Sequence, residues 1–139
     1  MAELAEITLV GILVTDPELH FTSTGIAVAS FTVAANERRY DPATGQWVDM
    51  GTTFLPCRIR RQAAENVAES LTKGTHVLVT GALRQREWKT TDGDQRYAYE
   101  VDATEVGISL KHATAQVTKA TPGTTRDSEN HGNDDKPQI

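Results

Sequence analysis

Arg84, Arg86 and Trp88 stand at alternate positions of one short segment, and Arg96, Tyr97 and Tyr99 follow on the far side of "TTDGD". Alternate residues of a strand share a face. One surface therefore collects Arg84, Arg86 and Trp88, while Leu83, Gln85 and Glu87 take the other. Asp92-Gly93 is a strong signal for a two-residue hairpin loop. With that loop Trp88 lies opposite Tyr97 and Arg86 opposite Tyr99, which adds both tyrosines to the Trp88 face. Val101 continues the row of the tyrosines and assigns them to packing. Interleaved guanidinium and aromatic groups suit an unpaired nucleic-acid strand. Phosphates need cations, and exposed bases need flat groups to stack on, at about 1–3 kcal/mol per base whatever the sequence. Arginine can do both.

The pattern recurs twice. Phe54, Arg58 and Arg60 alternate outward from Leu55, Cys57 and Ile59, and Arg38, Arg39 and Tyr40 form a third cluster. An amphipathic hairpin can expose arginine for solubility alone, but three such segments favour a binding surface. Trp88, Phe54, Tyr40, Arg39, Arg60, Arg84 and Arg86 are the leading contact candidates. Arg38, Arg58, Lys73, Lys89 and Arg96 are further phosphate partners. Trp47, beside a loop tip, fits packing and ligand contact equally.

The formal net charge of −5 argues against a nucleic-acid partner, whose usual footprint is basic. The charge is uneven, however. Residues 1–37 hold five acids and no Lys or Arg, whereas residues 38–96 hold ten of the fourteen basic residues against seven acids. Screening over about 8–10 Å lets a local basic surface stand on an acidic protein. Catalytic patterns are absent. Cys57 is the only cysteine and alternates inward with Leu55 and Ile59, as a small core residue does. His20, His76, His112 and His131 are too dispersed for a metal site, and no phosphate loop or nucleophile motif occurs. A protein that is not an enzyme and needs no cofactor or metal is expected. "MAELAEITLV" lacks a basic leader and "LVGILV" is too short to span a bilayer, so a cytoplasmic location is expected.

These residues must be positioned by strands. Residues 4–14 are rich in β-branched residues, with Ile7, Leu9 and Leu13 on one face and Val10, Ile12 and Val14 on the other. Apolar residues on both faces predict cover on both, and Gly11 predicts a bulge or a close backbone approach. Ser23-Thr24-Gly25 turns into a second strand through Ala27, Ala29, Phe31, Val33 and Ala35. "RRYDPATGQWVDMG" reads as a turn or a long hairpin tip. In "TTFLPCRIR" Pro56 predicts an edge or bulged strand. Ala64, Val67, Ala68 and Leu71 fall at helical spacing, with a Glu69/Lys73 pair and Gly74 at the C-terminal stop. "HVLVTG" is a buried strand, and the Arg/Trp hairpin follows. Short strands with one interposed helix predict a mainly β protein, a five-stranded Greek-key barrel of the OB-fold type with long hairpins. Residues 1–111 form this domain. Residues 112–139 are too polar to order themselves and read as a disordered tail.

"ITLVGILVTDPELHFTSTGIAVASFTVAANE", "AAENVAESLTKGTHVLVTGALRQREW" and "GDQRYAYEVDATEVG" together resemble the bacterial single-stranded DNA-binding protein family, SSB, over residues 4 to about 110. "AAENVAESL" has an actinobacterial flavour. The resemblance implies an OB-fold homotetramer that binds single-stranded DNA in replication, recombination and repair, without catalysis or cofactor. It implies stacking on Trp88 and on Phe54, where the family commonly carries Trp. Arg60 falls where the family usually has Phe or Trp, and Arg39 where some members have Trp. That exchange keeps a planar group but adds charge, which implies steeper salt dependence, about 0.7 in log–log slope per phosphate neutralised. The family's acidic tail tip captures replication and repair proteins. Here it corresponds to Asp134, Asp135, Pro137 and Ile139, diluted by Lys136 and without a terminal aromatic.

The apolar second face of residues 4–14 independently predicts pairing with another copy of the chain. The competing reading is an OB-type protein-interaction module of a replication assembly, which would present an apolar patch with a polar rim instead of a basic, aromatic face.

Overall fold

Six strands and one helix make up residues 4–120, the part of the chain that the computed structural model describes. In chain order they are β1 (Glu6–Leu13), β2 (Glu18–Phe21), β3 (Ala27–Asp41), β4 (Gln46–Arg60), α1 (Gln62–Ser70), β5 (His76–Lys89) and β6 (Gln95–Ile108). The sheet runs β1-β5-β6-β4-β3-β2, and β1 also pairs with β3. That extra pairing, Ile12 with Ala34 and Leu13 with Val33, closes the five long strands into a barrel. The short β2 lies outside it, against β3. All ladders are antiparallel except β4–β6, where only Cys57 with Val101 and Arg58 with Asp102 pair, in parallel. This is the Greek-key OB-fold.

The interior is built by the inward row of each strand: Leu9 and Leu13, Phe31 and Val33, Cys57 and Ile59, Val77 and Val79, and Val101. Ala64 and Val67 of α1, and Leu71 just past its end, join the same core. Closure requires close backbone contact at two points. A Cβ on Gly11 would lie 2.3 Å from the Ala34 carbonyl oxygen, and one on Gly81 would lie 2.2 Å from that of Asp102. Gly11 is thus the close approach anticipated from the sequence. Gly81 sits at a register shift in β5, between Thr80 and Gly81, where β6 is drawn against it.

Some local expectations hold and one is corrected. The "RRYDPATGQWVDMG" stretch is the long hairpin tip expected, and most of it is strand. β3 and β4 stay paired out to Asp41 and Gln46, around a turn whose Asp41 carboxylate accepts from the Ala43 N–H and the Thr44 hydroxyl. Pro56 pairs with Thr32 on one side and has no β6 partner on the other, the edge position expected of it, while the bulge of the β3–β4 ladder falls farther out at Glu37/Arg38. A proline is tolerated there because β6 pairs with β4 only from Cys57 onward. The helix ends before its anticipated stop. Leu71 is already extended, so Lys73 and Gly74 lie in a following turn and Glu69 and Lys73 do not share a helix. That turn is held by side-chain and backbone bonds to β1 and its flank, Lys73 N–H to Asp16 Oδ1 and Gly74 N–H to the Leu13 carbonyl. Residues 112–120 carry neither helix nor strand. No helix among the described residues is long and apolar enough to cross a membrane.

Beyond the barrel rim the two hairpins continue as two-stranded ribbons, β3–β4 and β5–β6. They set the geometry of the outer surface. Gly11→Ala should destabilise the chain by about 1–3 kcal/mol, because a methyl group there meets backbone that cannot give way. Gly107→Ala, where the added carbon meets nothing within 4 Å, should stay within about 0.5 kcal/mol of the parent. Urea unfolding of both variants checks this, and equal stabilities would show that barrel closure tolerates a Cβ at position 11.

Candidate nucleic-acid interface

The β5–β6 hairpin does not use a two-residue loop. Trp88 pairs with Arg96, Arg86 with Ala98 and Arg84 with Glu100, one residue off the register inferred from Asp92-Gly93. The Thr90 N–H bonds to the Asp94 carbonyl and the Gly93 N–H to the Thr90 carbonyl, leaving three residues at the tip with Gly93 at φ 89°. This is the three-residue hairpin in which glycine takes the left-handed position. Slipping by one residue moves every side chain of a strand to the other face. Tyr97 and Tyr99 therefore leave the Trp88 face and join Gln85 and Glu87. They are not core residues either. They lie beyond the rim, where no third strand covers the ribbon, and are 59% and 57% exposed.

The outward face that remains is continuous across three strands. From β5 it takes Arg84, Arg86 and Trp88, from β6 Arg96, Glu100 and Asp102, and from β4 Phe54, Arg58 and Arg60, since Arg58 pairs directly with Asp102. Trp88 is 41% exposed and Phe54 is exposed. The Arg86 guanidinium lies over the Trp88 ring, 5.0 Å from its centroid. On β3 the alternation of Ala34 and Asn36 carries on to Arg38 and Tyr40. Tyr40 meets Trp47 edge to face, with centroids 5.4 Å apart. Trp47 is exposed, so its packing partner is another surface aromatic and not the core.

Glu100 and Asp102 belong to this face and escape a reading that counts cations alone. Arg58 Nη2 lies 3.3 Å from Glu100 Oε2, and Arg86 Nε lies 3.8 Å from Glu100 Oε1. Arg60 Nη1 lies 3.5 Å from Asp102 Oδ1, and Arg84 Nη1 lies 2.8 Å from Asp102 Oδ2. Each carboxylate thus joins one arginine of β4 to one of β5. The shared spacing of two in Arg58/Arg60, Arg84/Arg86 and Glu100/Asp102 is the signal that could have revealed them. Partial burial pushes the Asp102 carboxyl up, but the Arg84 hydrogen bond and the charges of Arg60, Arg84 and Arg58 outweigh it. The net position is below the ordinary value. The hydrogen bond to Asp102, then its charge, raises Arg84 in turn. Arg58 Nε is buried without a hydrogen-bond partner, so that guanidinium is held through its Nη2 edge.

Three of the remaining candidates fall elsewhere. Arg39, opposite Val48, is on the reverse face of the β3–β4 ribbon, and Lys89, two residues on from Glu87, is on the reverse face of the other. Lys73 is in the turn after α1. Cys57 is buried, and burial pushes its thiol up to about 12, so it stays a neutral core group. No cluster of His, Cys, Asp or Glu suited to a metal ion occurs among the described residues. Asp134, Asp135, Pro137 and Ile139 lie outside the described residues.

A closed five-stranded barrel carrying a basic and aromatic outer face across two ribbons defines an OB-fold of the nucleic-acid-binding kind. Over residues 4–109 the chain matches the model of the Single-strand binding protein family, and it belongs to that family. It is 54% identical over 120 residues to the single-stranded DNA-binding protein of Mycobacterium leprae, a stretch spanning 86% of this chain and 71% of that protein. It is 53% identical over 119 residues to single-stranded DNA-binding protein 2 of Streptomyces coelicolor, spanning 86% and 60%. The crystal structure of the small single-stranded DNA-binding protein from Streptomyces coelicolor matches with a TM-score of 0.68 at 29% identity, over 78% of this chain and 97% of that one. A Plasmodium falciparum SSB complex with ssDNA shares the fold, with a TM-score of 0.67 at 23% identity over the same shares.

The depressed Asp102 carboxyl fixes the sign of one pH effect. A group whose folded value is lowered contributes stability above its unfolded value, about 4, and loses it as pH falls through the folded value. The stability gap between the parent and Asp102→Asn should therefore be full near neutrality and narrow below about pH 4. Urea titrations across that range check it, and a constant gap would mean that the carboxylate charge contributes nothing to folding.

Proposed function

We propose that this chain binds single-stranded DNA without sequence preference, stacking bases on Trp88 and Phe54 and engaging phosphates through Arg58, Arg60, Arg84 and Arg86. The observation that carries the reading is the shared outward face of these six residues, drawn from two hairpins that meet at the Arg58–Asp102 pairing. Tyr40, Arg38 and Arg96 extend the same surface along the ribbons. Arg39, Lys89 and Lys73 play lesser parts, since none of them lies on it. The relatives named for single-stranded DNA binding support the assignment, as does the family match. No catalytic step is proposed, and the site calls for no cofactor. A role in replication, recombination and repair, in the cytoplasm at the nucleoid, follows from the ligand. Recruitment of partner proteins would fall to Asp134, Asp135, Pro137 and Ile139.

Self-association is the second part of the proposal. Val10 and Leu78 pair across β1 and β5 on the outside of the barrel and are 56% and 41% exposed. Among the described residues nothing covers this face, so the cover expected on the second side of β1 has to come from elsewhere. A second copy pairing there, and two such pairs forming a homotetramer, would supply the cover.

Oligo(dT) should quench tryptophan fluorescence, duplex DNA of equal length should hardly do so, and affinity should fall steeply with salt. Trp88→Ala should cost about 1–3 kcal/mol of binding, the worth of one stacked base. Absence of oligo(dT) binding would remove the reading in favour of the protein-interaction module, and equal affinity for duplex and single strand would reduce it to unselective attraction of polyanions. For self-association, Val10→Asp combined with Leu78→Asp should lower the mass seen by sedimentation. An unchanged mass would place the contact on another surface.

A further inference from the structure

Two acids lie in the middle of a face proposed to hold a polyanion, and simple Coulomb repulsion opposes them. Their depth accounts for their presence. The side chains of Glu100 and Asp102 are 10% and 21% exposed, whereas those of Arg58, Arg60, Arg84 and Arg86 range from 35% to 59%. The carboxylates form a lower layer and the guanidiniums an upper one. An arriving strand meets the arginines first.

We infer that Glu100 and Asp102 are positioning residues of the DNA face, each fixing one arginine of β4 and one of β5 beneath the incoming strand. This rests on the DNA-binding reading above. A free arginine side chain samples many rotamers and loses that freedom when it grips a phosphate. One already fixed by a carboxylate loses less. A guanidinium carries more N–H donors than the one or two that a carboxylate accepts, so donors remain for phosphate. The pairing also links the hairpins. Glu100 bridges Arg58 and Arg86, and Asp102 bridges Arg60 and Arg84, so the two ribbons present their cations in a set spacing at the one point where β4 and β6 pair. The cost is that two of the four positive charges are offset.

A charge-neutral substitution separates orientation from charge. Asp102→Glu keeps the charge and moves the carboxylate by one methylene, and Glu100→Asp does the reverse. Glu105→Gln, at an exposed β6 position, changes charge by the same amount as Asp102→Asn without touching the four arginines. Each full-length variant is titrated with oligo(dT) at several salt concentrations, after circular dichroism shows that it is folded. Asp102→Glu and Asp102→Asn should both weaken binding by about tenfold, the worth of one oriented charge-assisted hydrogen bond. Glu105→Gln should bind as the parent does or slightly tighter. If Asp102→Glu binds like the parent and Asp102→Asn binds more tightly with a steeper salt slope, the acids only dilute charge and the inference is overturned. Should either Asp102 variant fail to fold, the Glu100→Asp titration decides, with parent-like affinity again overturning the inference. Failure of the parent itself to bind oligo(dT) would instead remove the DNA-binding reading on which all this stands.

Discussion

The structure depends on two places where backbone touches backbone without an intervening side chain. A sheet of five strands closes only if β1 reaches β3, and the gap at Gly11 leaves no room for a Cβ against the Ala34 carbonyl. Across the barrel, Gly81 lets β6 press against β5 at Asp102 and Ala103. The register shift beside it sets which residues of the two strands then face each other. Closure removes the sheet edges that an open sheet of this size would leave unpaired. It also sends the inward rows of all five strands into one core. The outward rows are left to solvent and to whatever binds there.

From closure follows the form of the surface. Because β4 and β6 pair over two residues only, the hairpins part company on the N-terminal side of Cys57 and Val101 and run on toward their tips as separate ribbons. A ribbon has two solvent faces. The outward one continues the barrel's exterior and carries Trp88 or Phe54. The other continues the interior row of Leu83 and Val101 and carries Tyr97 and Tyr99 into solvent. The same inward alternation therefore means core at Val101 and exposure two and four residues earlier, with the barrel rim as the dividing line. The groups best placed for stacking lie on the ribbons, and the ion-paired arginines lie near the junction.

What could be read from the chain follows the range of the interactions. Gly11 inside an apolar strand, the inward row Leu55–Cys57–Ile59 and the outward row Phe54–Arg58–Arg60 are local patterns, and the alternation of a strand is enough to assign them. The helical spacing of Ala64, Val67 and Leu71 is local as well, though Leu71 turns out to sit just past the helix end. The hairpin register was not legible. Asp92-Gly93 serves equally as the whole of a two-residue loop or as the last two residues of a three-residue one, and a difference of one residue inverts a face. Glu100 and Asp102 leave only a matching spacing of two as a local trace, and their partners on β4 are not legible for another reason. Arg58 and Glu100 are 42 residues apart, and only the parallel β4–β6 contact brings them together. The same closure limits what periodicity can say about Tyr97 and Tyr99, since where the rim falls is a property of all five strands.

The acidic balance of the chain is resolved by the same long-range pairing. The ion pairs of the β4–β6–β5 face are made by Glu100 and Asp102 and not by the five acids of residues 1–37, and screening over about 8–10 Å limits what more distant charges add. The face itself presents four half-exposed guanidiniums with two carboxylates beneath them. A face of four unpaired arginines would repel itself and would attract any polyanion. Pairing each carboxylate with two arginines relieves the first effect, and it trades part of the undirected attraction for guanidiniums fixed in place. Binding that must accept any base order has no use for base-edge contacts. It does need flat groups and cations on one surface, and the closed barrel with two ion-pair bridges across its hairpins holds Trp88, Phe54 and the four arginines on one outward face.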